Sequence, residues 1–400
     1  MNYPKRVDID HYLIDGSLRP WEGPTKEIYS PYDTSESKIL GSYPLMEESN
    51  ALEALEAAKR AYNNGRGAWP QMTVGRRIEC VQAFMELMKK SREEVVNLLM
   101  WEICKSYADS YKEFDRTIEY IEDTIKALKD LDHQSSRFIE EQGILAQIRR
   151  APLGVTLVMG PFNYPLNETF TTLIPALIMG NTIIFKTPKI GILLFKPLLE
   201  AFKLAFPPGV VNTVFGDGRV IITPLMKSGG LDVLAFIGTS KVAHILKSQH
   251  PKLNRLRCVL GLDAKNPAII TSSANLDLTV KECITGALTF NGQRCTALKI
   301  LFVHNSIYET FLEKMSAGMN ELKIGMPWDD GVQITPLAEP NKSEYLTGLI
   351  GDAVIKGAKV VNSHGGEYKK SLFCPALVAG VKSQMRLYNE EQFGPIIPVV

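Results

Sequence analysis

The chain lacks the features of a metal, disulfide or membrane protein. Its six cysteines stand at 80, 104, 258, 283, 295 and 374, and no two form a CxxC pair. Its six histidines are scattered. A zinc site, which needs clustered ligands, is therefore not expected. So few thiols in 400 residues do not make a disulfide scaffold and suit a reducing compartment. No apolar run approaches the roughly 20 residues that span a bilayer. The most apolar stretch, 190–206, is broken by Lys196 and Lys203, and the N-terminal MNYPKRVDIDHYLIDG has no apolar signal core. Net charge is +1, from 45 basic and 44 acidic residues, so no general field invites nucleic acid or an acidic membrane. We expect a soluble, cytoplasmic protein with neither of those partners. Internal repeats and low-complexity segments are absent too.

What is present is an ordinary globular composition, 45% hydrophobic and 22% charged, in a chain long enough for two domains around a cleft. Residues 11–45 alternate short extended pieces with Gly and Pro turns, with a hairpin tip at Asp33 to Ser37. A helix is predicted from Asn50 as N-cap, with Leu52, Leu55 and Ala58 on its apolar face and Gly65 at its end. Residues 76–131 read as two or three amphipathic helices, and 133–153 as a β excursion. From Gly154 onward, strands at 154–160, 181–185, 210–215 and 233–237 alternate with helical segments. That alternation predicts a parallel, doubly wound sheet, which binds ligands at the carboxyl ends of its strands. After Pro267 a second α/β alternation begins, with strands at 268–271 and 298–304. The chain closes on an apolar, strand-like run, so we expect a continuation beyond residue 400.

Four loops carry candidate chemistry. Cys295 follows Arg294 in the bend Phe290-Asn291-Gly292-Gln293-Arg294-Cys295-Thr296-Ala297. The nucleophilic form of cysteine is the thiolate, and a neighbouring cation favours it; otherwise such a cysteine is buried packing. Asn163, between prolines in Gly160-Pro161-Phe162-Asn163-Tyr164-Pro165, can donate to an oxyanion or serve a structural turn. Lys186 and Lys189 end the second strand and suit a phosphorylated ligand or a solvated turn. Gly238, Thr239 and Ser240 open a helix after the fourth strand, where exposed amides can hold a phosphate. Gly216-Asp217-Gly218 lacks the third glycine of a dinucleotide fingerprint.

These loops occur together with PALIMGN at 175–181, GQRC at 292–295 and EEQFGP at 390–395. In order and spacing the set resembles the aldehyde dehydrogenase superfamily. FNYPLN and GQRCTALK are most similar to its NADP-dependent, non-phosphorylating glyceraldehyde-3-phosphate dehydrogenases. The resemblance implies an α/β fold with a Rossmann-type cofactor domain at 1–132 and 154–262. It implies an oligomerisation β excursion at 133–153 and a catalytic domain at 263–400, the last part of which lies beyond this chain. A homodimer or homotetramer is the implied assembly.

Residue by residue, Cys295 matches the nucleophile and Asn163 the oxyanion donor. Lys186 matches the residue on the adenosine ribose. Lys189 stands where members that use NAD carry a Glu, which implies NADP. Gly238, Thr239 and Ser240 match the pyrophosphate site, and Glu391 and Phe393 the grip on the nicotinamide ribose and ring. Arg294, Thr296 and Tyr164 match the substrate site, with Arg116 a further phosphate contact; the implied substrate is a phosphorylated aldehyde.

One position departs from the pattern. The family's general-base Glu, in an E-L-G-G-K element 34 positions before the cysteine, is Gly261 here, in Gly261-Leu262-Asp263-Ala264-Lys265. Asp263 is the substitute candidate, since residues two apart in an extended segment share a face; alternatively its carboxylate lies nearer the cofactor phosphates. The expected activity is oxidation of glyceraldehyde 3-phosphate to 3-phosphoglycerate through a Cys295 thiohemiacetal and thioester. The rivals are an acylating, coenzyme A-dependent enzyme and a catalytically lapsed NADP-binding protein.

Overall fold

Segments rich in Val, Ile and Phe bury both faces only when helices cover both sides of a sheet. The first sheet is of that kind in the structure, a computed structural model that describes residues 5–32 and 39–400. The expected hairpin tip at Asp33 to Ser37 lies outside the described residues. In chain order, short strands β1 (Val7–Asp8), β2 (His11–Ile14), β3 (Ser17–Pro20), β4 (Thr25–Tyr29) and β5 (Ile39–Pro44) precede helix α1 (Glu48–Tyr62). Helix α1 starts earlier than its sequence suggests. Glu47 is the cap, and Asn50, one turn in, accepts from the Glu47 amide through its side chain. It ends at Asn63, which takes the left-handed conformation before Gly65 is reached.

The long helical region is a trio: α2 (Val74–Lys89), α3 (Arg92–Ile103) and α4 (Tyr107–Ser135). The excursion that follows is a hairpin of β6 (Ile139–Glu141) and β7 (Ile144–Ala146), and it leaves Phe138, Ile139, Ile144, Leu145 and Ile148 exposed. Its start is shifted, because α4 continues through Ser135.

The first sheet joins β8 (Val155–Met159), β9 (Thr182–Lys186), β10 (Val211–Val214), β11 (Val233–Ile237) and β12 (Arg257–Gly261) in the order β10-β9-β8-β11-β12, all parallel. Helices α5 (Asn167–Ile178), α6 (Lys196–Ala205), α7 (Gly218–Lys227) and α8 (Ser240–Gln249) connect them. The strand order reverses between β8 and β11. Ligands in such sheets bind at the carboxyl ends beside that reversal, and those ends carry Asn163 and Gly238. Strand β12 has alternating exposure and an Arg and a Cys in it, which hid it in the sequence.

The second sheet runs β13 (Pro267–Ile270), β14 (Ile300–Val303), β17 (Ile396–Val399), β16 (Ala376–Ala379) and β15 (Lys359–Val360). Its helices are α9 (Leu276–Leu288), α10 (Tyr308–Asn320) and α11 (Lys342–Ile355). The closing apolar run is thus a central strand, buried throughout. Each sheet has its own apolar core, but Phe290, from the second half, is buried in the core of the first. That ring anchors the cysteine-bearing bend across the domain boundary. Among the described residues no helix is long and apolar enough to cross a membrane.

Candidate active site

The bend after α9 is held in a conformation that ordinary residues avoid. Phe290 (φ 48°), Asn291 (φ 57°) and Gly292 (φ 67°) are successively left-handed. Each such non-glycine residue costs on the order of 1–3 kcal/mol unless its surroundings fix it. Here Asn291 is fully buried, accepts from the Thr335 amide at 2.9 Å and donates to the Thr335 hydroxyl at 3.2 Å. A β-carbon on Gly292 would fall 2.7 Å from the Ala287 carbonyl oxygen and 2.8 Å from that of Gly394, so glycine alone fits there. The bend delivers Cys295, half-buried, to the domain boundary, where Asn266 Nδ2 donates to its carbonyl at 2.6 Å.

Asn163 comes to the same place from β8. Its side chain is buried and its Nδ2 donates to the Gln293 carbonyl at 2.8 Å. An amide nitrogen has two hydrogens, so one remains beyond the bond to Gln293.

The surroundings of the thiol favour its neutral form. Burial pushes the Cys295 pKa up, the Glu168 carboxylate pushes it further, and Lys299 opposes both. Arg294 instead turns toward Thr296, donating to its hydroxyl at 3.3 Å, and its charge acts on Tyr164. Lys299, four positions after the cysteine, is almost wholly buried. It donates to the Arg294 carbonyl at 2.7 Å and is ion-paired with Glu391. Glu391 is thus held by Lys299, with Phe393 close by: the Lys299 ammonium lies 5.1 Å from the centre of that ring.

On the substrate side, Tyr164 packs edge-on against Phe290 at 5.9 Å. Arg116 lies exposed on α4, and its charge is felt by Glu168 in the first turn of α5. Glu168 was not singled out in the sequence. The signal for it was available: a carboxylate in the turn directly after Asn163-Tyr164-Pro165. Its field reaches Arg116, Tyr164 and the thiol. Replacing Glu168 with Gln removes a cause that raises the thiol pKa, so thiolate should form at lower pH. The pH dependence of iodoacetamide alkylation of Cys295 measures this; an unmoved or upward-shifted profile would refute it.

The candidate cofactor residues stand at the carboxyl ends of β9 and β11. Lys186 is buried; burial, then the Lys189 charge, lower its pKa to about 8. Lys189 is exposed just beyond it, and the hydroxyl of Thr187 between them is buried without a partner. Two mutually repelling ammonium groups and an orphaned hydroxyl fit a ligand that brings hydroxyls and negative charge. Gly238 donates to the Gly261 carbonyl at 2.9 Å, and a β-carbon there would strike the Phe236 ring at 2.4 Å. Thr239 caps α8 by accepting from Val242 at 3.4 Å.

The Asp263 carboxylate is engaged at the start of α8. Strand β12 pairs with β11 so that Gly261 lies opposite Ile237, which brings Asp263 level with the start of α8. Its carboxylate accepts from the Ser240 amide and, at 3.0 Å, from the Ser240 hydroxyl. Those bonds hold its pKa below the usual carboxylate range despite some burial. The acid is therefore ionised and committed to the helix terminus.

In sequence and fold the chain is similar to known proteins. The pattern of the Aldehyde dehydrogenase family matches residues 21–400. The NADP-dependent glyceraldehyde-3-phosphate dehydrogenase of Streptococcus equinus is 35% identical over 384 residues, covering 94% of this chain and 78% of that protein. The one from Apium graveolens is 31% identical over 408 residues, covering 98% and 78%. The crystal structure of NADP-dependent glyceraldehyde-3-phosphate dehydrogenase from Bacillus halodurans C-125 complexed with NADP superimposes with a TM-score of 0.89 at 28% identity, over 99% of this chain and 81% of that one. An amide donor reaches the thiol-bearing bend, a two-lysine turn ends the strand next to the one that precedes that donor, and nearly the whole sequence follows one family pattern: the chain belongs to the aldehyde dehydrogenase family, oxidoreductases acting on aldehydes.

Proposed function

We propose that this chain oxidises glyceraldehyde 3-phosphate to 3-phosphoglycerate with NADP. The observation that carries the reading is that Asn163 and Tyr164 pack on the bend that bears Cys295 while the Lys186–Lys189 turn ends the neighbouring strand β9, in a chain similar to NADP-dependent glyceraldehyde-3-phosphate dehydrogenases. Cys295, as thiolate, adds to the aldehyde carbon and forms a thiohemiacetal. Its oxyanion lies against the spare hydrogen of Asn163 Nδ2 and the amide of Cys295, donors of a kind typically worth about 3 kcal/mol. Lys186 and Lys189 would hold NADP, which would supply the hydride acceptor. The carbon left behind is a Cys295 thioester. Water cleaves it, releasing the acid and returning the thiol.

Tyr164, Arg294 and Thr296 face the substrate, and Arg116 meets its phosphate. Arg116→Ala is expected to raise KM for glyceraldehyde 3-phosphate by about tenfold, one charge-assisted contact of roughly 1.5–3 kcal/mol. KM for unphosphorylated glyceraldehyde should hardly move. Equal effects on the two substrates would take Arg116 out of the site.

The test of the whole reading is stopped-flow NADPH formation with glyceraldehyde 3-phosphate, with and without coenzyme A. Reduction that depends on the phosphate and needs no thiol supports it. Turnover only with coenzyme A would favour the acylating alternative, which the glycine at 261 motivates.

A further inference from the structure

Lys105 is an unusual residue for a protein interior: its side chain is fully buried, as is that of Glu113, with which it is ion-paired. Ordinary lysines stay at the surface, because desolvating the ammonium is costly without partners. Cys104 closes α3 in the left-handed conformation (φ 53°), which turns the next side chain inward. Ser106 then caps α4, so the bend is fixed on both sides of Lys105.

The ammonium makes contacts that converge on the site. It donates to the Asn163 carbonyl at 2.7 Å. It lies 3.5 Å from the centre of the Tyr164 ring and 4.4 Å from that of Phe290. Its counter-ion does related work: Glu113 Oε1 accepts from the Leu166 and Asn167 amides, both at 3.1 Å, at the start of α5. Asn167 and Thr117 complete the layer, 3.4 Å apart. One side chain thus touches the loop that carries Asn163 and the strained bend that leads to Cys295. Its partner fixes the helix that begins where that loop ends.

We propose that the buried Lys105–Glu113 pair is a positioning clamp, which sets Asn163 Nδ2 against the carbonyl oxygen of a substrate on Cys295. The proposal rests on the roles given above to Cys295 and Asn163. Neither clamp residue touches the reacting atoms. Their effect is geometric: an oxyanion donor acts through close placement, and a displacement near 1 Å can cost about 10²-fold in rate. Interior charge is a costly way to fill space, since well-packed apolar residues often stabilise as well or better. What the ion pair adds over such packing is a directed bond to the Asn163 backbone.

The test is a double-mutant cycle read in the NADPH burst. Lys105→Met with Glu113→Gln removes both charges together and leaves neither ion unpaired. The burst rate is expected to fall by about tenfold or more, with KM for the aldehyde within about threefold of the wild type. Adding Asn163→Ala to that background should cost far less than Asn163→Ala costs alone, because the amide is already misplaced. An unchanged burst rate in the charge-free variant, or losses that multiply independently, would overturn the clamp. If Asn163→Ala alone leaves the burst unchanged, the oxyanion role falls and takes the clamp with it, a pattern distinct from the other two. Should the charge-free variant not fold, Glu113→Asp keeps both charges, shortens the reach by one methylene, and carries the same cycle.

Discussion

Gly261→Glu is expected to raise steady-state turnover by about 10²–10⁴-fold, the usual worth of a general base. The wild-type chain should give a burst of about one NADPH per site, then slow turnover. Hydride transfer needs only a thiolate, which a bound substrate and Lys299 can favour. Hydrolysis is harder, because an unassisted water must attack the thioester. Two of the candidate carboxylates are otherwise engaged: Asp263 on Ser240, Glu391 on Lys299. Position 261 can take a side chain. It is exposed at the end of β12, its backbone is outside the left-handed region, and a β-carbon would meet Ile237 at 3.3–3.4 Å, a contact that a few tenths of an ångström relieve. Burst and steady-state phases in stopped flow measure the outcome. Ordinary turnover without a burst in the wild type would show that another group activates the water. Glu168, whose field reaches the thiol, would then be the first to replace.

The sequence made some of this legible and hid the rest, for physical reasons. A strand such as Val155–Met159 is buried on both faces, so its composition alone announces it. Loops at strand ends carry their chemistry in short motifs, which is why Asn163, Lys186, Gly238 and Cys295 could be named from local residue types. Partners distant along the chain could not. Lys105, Glu113, Asn163 and Phe290 meet only because three helices and a domain boundary bring them together. The charge around the thiol was hidden for the same reason: Arg294, beside Cys295 in sequence, donates to Thr296, and Lys299, four residues on, lowers the thiol pKa. The reading of Asp263 turned on register: pairing of β12 with β11 directs that carboxylate to Ser240.

Lys189→Glu is expected to reverse cofactor preference. In the wild type NADP should bind more tightly than NAD by about tenfold or more, from one charge-assisted contact of roughly 1.5–3 kcal/mol to the 2′-phosphate. A carboxylate at 189 repels that phosphate and accepts from the ribose hydroxyls that NAD leaves free. The exposed position of Lys189 lets the side chain change without disturbing the core. The substitution also acts on Lys186. Burial and the Lys189 charge together bring the Lys186 pKa to about 8. Removing that charge, and adding one of opposite sign, raises it again. Lys186 is protonated below its pKa, so the free wild-type protein should lose positive charge, and with it cofactor affinity, as pH rises through about 8. In the variant that loss should move to higher pH. Dissociation constants for NADP and NAD at pH 7 and pH 9, by fluorescence titration, decide both points. Equal constants for the two cofactors in the wild type would remove Lys189 from the phosphate site. An unchanged pH dependence in the variant would mean that Lys186 does not sense position 189.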